Sequence, residues 1–138
     1  MTPEARESFL ADVHVGVLSV ERADGPPLAA PVWYRYQRGG EVEVMTDGDS
    51  LKGRLLHAAG RASLCAQREA SPYAYVTVEG PIAFADAADG DLLDIATRYL
   101  GAEGGRAYAA ANAGGDSTIV RLTPERWFST DYSGLDLG

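Results

Sequence analysis

The stretch PVWYRYQRGGEVEVMTDGDSLKGRLL, residues 31–56, changes its period twice, and those changes decide the fold. Its first residues belong to an extended run that Arg38-Gly39-Gly40 ends as a turn. Glu41 to Thr46 then alternates charged and apolar residues, as a half-exposed strand does. Asp47-Gly48-Asp49-Ser50 is turn and cap chemistry, and Leu51, Leu55, Ala58 and Ala59 recur at helical spacing until Gly60. Strand, turn, strand, cap and short helix therefore follow one another within thirty residues.

Outward from this stretch the pattern is mostly of strands. Upstream, Thr2-Pro3-Glu4 reads as an N-cap, a proline at the first helical position and an acidic first turn, opening a helix through Leu10. Val13 to Val20 is apolar on both faces and β-branched-rich, so a strand covered on both sides is expected. The turn Ala23–Pro27 sends the chain back through a returning strand, Leu28 to Tyr36. Downstream, Ala62 to Gln67 and Tyr73 to Ala85 read as strands, with a bulge expected at Gly80-Pro81. Asp89 to Leu100 carries a helical stripe that Gly101 stops, and a separate small helix is expected around Arg106 to Ala111. Ser117 to Leu122 and Arg126 to Ser129 complete the last strand region. Six strands at short spacing, with helices at the rim, predict an antiparallel barrel in a single domain, residues 1–138.

Composition narrows the function. A net charge of −8 repels phosphate backbones and anionic lipid surfaces, which argues against nucleic acid and membrane partners. No apolar run is long enough to span a bilayer, the N-terminus lacks a secretory layout, and the single cysteine, Cys65, fits a reducing compartment. A cytoplasmic protein is expected. There is no nucleophile elbow, no Walker loop and no dinucleotide fingerprint. With only His14, His57 and Cys65 as soft ligands, no metal site is expected.

Two patches carry chemistry. Lys52 is the chain's sole lysine, and with Arg54 it sits in the first turn of the helix that follows Ser50. Free amides and the positive dipole end at a helix start attract anions, and a cation there is locally unfavourable by roughly 0.3–1 kcal/mol. A phosphate held by Ser50, Lys52, Arg54 and backbone amides resolves the conflict; side chains extending into solvent are the alternative. The second patch is aromatic. Pro31-Val32-Trp33-Tyr34 and the Tyr73/Tyr75 pair pack a core or wall a planar ligand, and the residues alone leave both readings open.

Those segments, with ASLCAQ, SPYAYVTVEGPIAF and the helix end ATRYLG, resemble the pyridoxamine-5′-phosphate-oxidase-like split β-barrels. Within them the chain is most similar to the branch of F420-dependent (deazaflavin) oxidoreductases of actinobacteria. The P-V-W strand, T-x-x-x-S-x-K-x-R-x-L segment, P-Y-x-Y-V-x-V-x-G strand and Y-L-G helix end all occur in order, over residues 13 to 101. The resemblance implies a six-stranded split barrel with short flanking helices, acting as a homodimer with a cofactor groove at each joint. It implies that Lys52 and Arg54 hold the cofactor phosphate, with Thr46, Asp47, Ser50 and Leu51 lining that loop. Pro31, Val32, Trp33 and Tyr34 would border the tricyclic ring; Tyr73, Tyr75 and Trp127 would lie near the groove, contributed by the other subunit. The implied activity is hydride transfer from reduced coenzyme F420 to a conjugated acceptor such as a tetrapyrrole or quinone, with Tyr34 as candidate proton donor. FMN in the same groove is the alternative, and a non-enzymatic haem-binding barrel with His14 or His57 as ligand is a third reading. For the glutamate tail of F420, Arg22, Arg35, Arg38, Arg61 and Arg68 are the candidate cations. The tail 131–138 extends past the usual pattern and would border the substrate pocket.

Overall fold

The computed structural model describes residues 1–115 and 117–134. Thr2 caps α1 (Pro3–Ala11) by accepting from the Ala5 amide, and Pro3 opens it. Arg98 donates to the carbonyls of Ala11 and Asp12, at 2.9 and 2.6 Å, so a distant cation closes the helix's negative end. The strands are β1 (Gly16–Val20), β2 (Leu28–Val32), β3 (Arg35–Tyr36), β4 (Val42–Asp47), β5 (Arg61–Arg68), β6 (Ala74–Asp86), β7 (Ser117–Leu122) and β8 (Arg126–Asp131). The helices α2 (Leu51–Ala59) and α3 (Asp91–Ala111) lie between β4 and β5 and between β6 and β7.

Eight strands replace the expected six because two long segments are interrupted, and both interruptions have causes. The neighbours run β2-β1-β5-β6-β7-β4-β3, every described pair antiparallel, so the consecutive β2 and β3 stand at opposite ends of the path. One bent segment, 28–36, thus closes the sheet on itself as a split barrel. At the bend, Trp33 and Tyr34 lose their strand partners. The Tyr99 hydroxyl replaces them: it accepts from the Tyr34 N–H at 3.0 Å and donates to the His14 carbonyl at 2.7 Å. That second bond also corrects the start of β1. Val13 and Val15 lie outside the strand and are each 53% exposed, because the His14 carbonyl is bonded to a side chain.

The second interruption lies at the corner of β6. Residues 74–81 pair with β5 on one edge; the other edge carries β8 along 74–79 and β7 along 82–86. From Ile82 to Glu79 there are three steps, and from their partners Leu122 to Arg126 there are four. The extra residue therefore lies in Thr123–Glu125, which corrects the bulge expected at Gly80-Pro81. Gly80 supplies the space: a Cβ there would overlap the Thr123 carbonyl oxygen.

Inward-facing Leu18, Val20, Tyr34, Val42, Val44, Leu64, Val76, Val78, Val120 and Leu122 form the core, with Phe9 and Leu10 of α1 and Leu56 of α2 packed into it. α3 lies outside. Its Ile95 and Ala96 are buried apart from the main cluster, as is Ile119 on the outer side of β7. Arg35 clamps its start, pairing with Glu43 (3.0 Å), Asp91 (2.8 Å) and Asp94 (3.4 Å), while Arg121 pairs with Glu43 at 2.9 Å. Gly101, at φ 79° and ψ 176°, breaks α3 into two arms. Such a backbone is open essentially to glycine alone. The second arm starts sooner than the small helix expected at Arg106, and Gly105 lies so close to Thr97 that a Cβ would overlap it.

Candidate cofactor-binding site

Ser50 caps α2 from an extended backbone (φ −68°, ψ 161°), accepting from the Gly53 amide at 3.0 Å and donating its hydroxyl proton to the Asp47 carbonyl at 2.6 Å. Gly53 makes that tight cap possible, since a Cβ would overlap the Asp47 carbonyl oxygen. At the other end Gly60 takes the left-handed conformation (φ 69°) that closes the helix. The amides of Leu51 and Lys52 have no intrahelical acceptor by position and face outward from the helix start. Leu51 is 49% exposed, and Arg54 is exposed as well.

Lys52 is the unusual group. Its side chain is half-buried, and no carboxylate lies within ion-pair distance among the described residues. Burial alone holds its ammonium below the usual lysine range. A half-buried cation without a counter-charge, at the positive end of a helix, is a site that an anion stabilises. The donor set suits a phosphate: two cations, two free amides and a rigid capped turn.

The other expected site residues divide. Thr46 points inward and is buried, and Asp47 is exposed, its Oδ1 accepting from the Asp49 amide and its carbonyl from Ser50. Thr46 thus belongs to the barrel interior, away from the loop it was expected to line. Val32 and Tyr34 also face inward. The Tyr34 hydroxyl donates to the Leu10 carbonyl at 2.7 Å, and burial pushes it well above the ordinary tyrosine range. As a proton donor Tyr34 is therefore corrected to a core residue. Pro31 is exposed and Trp33 partly exposed, with Trp33 against Tyr99 (centroids 5.0 Å apart, 10°) and Tyr108 (5.1 Å, 50°).

Trp127 is corrected too. It sits opposite Val78, on the inward face of β8, edge-on to Tyr36 at 6.2 Å and beneath the Arg6 guanidinium at 4.7 Å. Phe128 is the outward residue, 50% exposed. Sequence reasoning missed it because the one-residue bulge before β8 sets the face. Tyr73 is exposed and Tyr75 half-buried on that same outer side. Across β2-β1-β5-β6-β8 the outer row reads Pro31, Val17, Cys65, Thr77 and Phe128, uncharged throughout and mostly apolar.

Among the described residues, two large cavities include neither Lys52 nor Trp33. One of about 710 Å³ lies beyond the far end of α2 and is lined by Ala59, Gly60, Arg61, Glu79 and Arg126 among others; Arg61 pairs there with Glu21 at 2.6 Å. The other, about 580 Å³, surrounds the Arg35–Glu43–Arg121 cluster. The start of α2 is an open surface instead. Of the cations considered for a glutamate tail, Arg35 is taken up by three carboxylates and Arg61 by Glu21. Arg22 donates to the Pro26 carbonyl and Arg68 to that of Pro72. The histidines are stacked, His14 on Phe9 (4.3 Å) and His57 on Phe84 (3.7 Å), and neither lines either of these two cavities. No group of three metal-ligating side chains occurs among the described residues, and no described helix is long and apolar enough to cross a membrane.

The fold recurs among solved structures. A conserved hypothetical protein of Mycobacterium tuberculosis superposes with a TM-score of 0.77 at 22% identity, over 99% of this chain and 89% of that one. A structure described as an F420 reductase gives 0.67 at 19%, over 88% and 94%. A heme binding protein of Mycobacterium smegmatis gives 0.65 at 22%, over 97% and 60%. At these identities the likeness shows the fold. No protein of curated function matches in sequence. The family model described as pyridoxamine 5'-phosphate oxidase matches residues 1–131, and, in keeping with its split barrel, the chain belongs to that family of flavin-binding, oxidoreductase-like barrels.

Proposed function

We propose that the chain is a coenzyme-F420-dependent reductase that acts on conjugated organic acceptors as a cytoplasmic homodimer. The observation that carries this reading is the half-buried, uncompensated Lys52 at the capped start of α2. Lys52, Arg54 and the amides of Leu51 and Lys52 would take the phosphate, and Pro31 and Trp33 would border the ring. Bound there, the reduced deazaflavin supplies a hydride to the acceptor. The protein's part is to fix the phosphate, present the ring to one face of the groove and exclude water. With Tyr34 assigned to the core and the Tyr99 hydroxyl engaged by backbone groups, water is the proton source in this reading.

The second subunit follows from the open surface at α2 and the bare outer sheet. The two large cavities leave Lys52 outside, whereas a partner laid on the Val17–Cys65–Thr77–Phe128 face would cover apolar area and supply a second wall. Tyr73 and Tyr75, on that side, are the residues a partner would bring to the joint.

FMN is the competing cofactor, favoured by the engagement of Arg35 and Arg61 in ion pairs, which leaves few cations for a polyanionic tail. Titration of the apo-protein with each cofactor, followed by stopped-flow oxidation of reduced F420 and reduced FMN by a quinone, separates the two. Turnover with FMN and none with F420 overturns the F420 assignment. A Soret band on the purified protein would move it to the haem-binding reading.

A further inference from the structure

We infer that Tyr108, carried on the second arm of α3, gates the Trp33 wall: it occupies the position of a planar ligand and must leave before one stacks there. The inference rests on Trp33 bordering the cofactor ring. Two aromatic side chains meet the Trp33 indole, and they are held very differently. Tyr99 is fixed, its hydroxyl bonded to the Tyr34 amide and the His14 carbonyl at the barrel's split. The Tyr108 hydroxyl has no hydrogen-bond partner among the described residues, and the residue is 39% exposed.

The arm behind Tyr108 is equally lightly held. From residue 102 to 111 only Gly105 is buried, against Thr97, and the rest is largely in solvent. Ten residues of helix with one packed glycine have little stability of their own. The arm joins the first through Gly101, whose backbone absorbs the whole change of direction. The Tyr108–Trp33 contact, at 5.1 Å and 50°, is thus the main aromatic tie between the outer half of the arm and the barrel. An aromatic ligand on Trp33 replaces that tie with a larger stacked surface, at the expense of one exposed tyrosine. Tyr108 therefore lowers apparent affinity by the fraction of time it covers the indole, and sets how large an acceptor fits beside the bound ring.

The test uses the Trp127→Phe background, in which Trp33 is the sole tryptophan. Oxidised F420 and FMN are titrated into wild type, Tyr108→Ala and Tyr108→Phe by quenching of Trp33 emission. Tyr108→Ala is expected to bind roughly two- to tenfold more tightly, and Tyr108→Phe like wild type, since the ring rather than the hydroxyl does the covering. Hydrogen exchange on the wild type needs no substitution, and amides 106–111 should exchange faster when ligand is bound. Equal affinities for wild type and Tyr108→Ala, or unchanged or slower exchange in the arm, overturn the gate. If neither cofactor binds any of the three proteins, the proposed function fails, yet the gate is still read with 1-anilinonaphthalene-8-sulfonate. Energy transfer from Trp33 to that dye should be stronger in Tyr108→Ala, and no gain there overturns the gate on its own.

Discussion

Replacing Lys52 by alanine separates a binding group from a structural one, because the two roles predict opposite signs. Without an anion the Lys52 ammonium is half-buried and uncompensated at a helix N-terminus, and burial depresses its pKa. A lysine with a depressed folded pKa favours the neutral form. Its stabilising increment is present above the ordinary lysine pKa and is lost as pH falls through the folded value. At pH 7 the charge is therefore a burden on the apo-protein. Lys52→Ala removes the dipole conflict, about 0.3–1 kcal/mol, and a few tenths return as lost packing of the side-chain stem. The apo-protein should thus be unchanged or up to about 1 kcal/mol more stable, a Tm rise of at most roughly 5 °C. With cofactor the sign reverses. A charge-assisted hydrogen bond to phosphate contributes about 1.5–3 kcal/mol, so Kd should rise roughly ten- to 150-fold. The assay is calorimetric or fluorescence titration with F420 and FMN, beside thermal melts with and without saturating ligand. The wild-type melt should shift upward with ligand and the variant's far less at equal ligand concentration. If Lys52→Ala unfolds the apo-protein while ligand affinity stays intact, Lys52 is a structural residue and the site lies elsewhere.

Three further outcomes are expected. Phe128→Asp places a charge on the bare outer sheet and should shift the protein from dimer toward monomer in light scattering; a wild type monomeric at micromolar concentration with cofactor bound refutes the second subunit. Tyr34→Phe removes the bond to the Leu10 carbonyl and should cost about 1–2 kcal/mol in denaturant melts with the single-turnover rate at saturation unchanged, whereas a large loss of rate in a folded variant would restore Tyr34 as a proton donor. Asp91 titrates low because Arg35 hydrogen-bonds it, and Glu43 because its bonds from Arg35 and Arg121 outweigh burial. Their contribution is full above the ordinary carboxylate pKa of about 4 and is lost as pH falls through the depressed values; Arg35→Ala should cost about 1–3 kcal/mol at pH 7 and flatten that acid limb, and an unaltered pH–stability profile would show the cluster to be inert.

Much of the architecture is legible locally. The caps at Thr2, Ser50 and Gly60 work within one turn of their helices, so spacing along the chain suffices to find them. Strand and helix periods in 41–60 are likewise short-range, and the misplaced cation at Lys52 follows from helix polarity alone. Strand spacing already predicted an antiparallel barrel, and the family resemblance added that it is split.

What the sequence alone determined, then, was which segments are strands and helices, where they are capped, and which cation conflicts with its helix. Only the tertiary structure decided which way the side chains of those strands face. Tyr34 turned inward because the 28–36 segment bends to close the barrel, with Tyr99, sixty-five positions away, completing its backbone bonds. Trp127 faces inward and Phe128 outward because one extra residue in Thr123–Glu125 shifts the register against β6. A strand's side chains alternate with a period of two, so a single-residue shift moves every one of them to the other face. That shift is set by partners remote in the chain, and no local pattern records it.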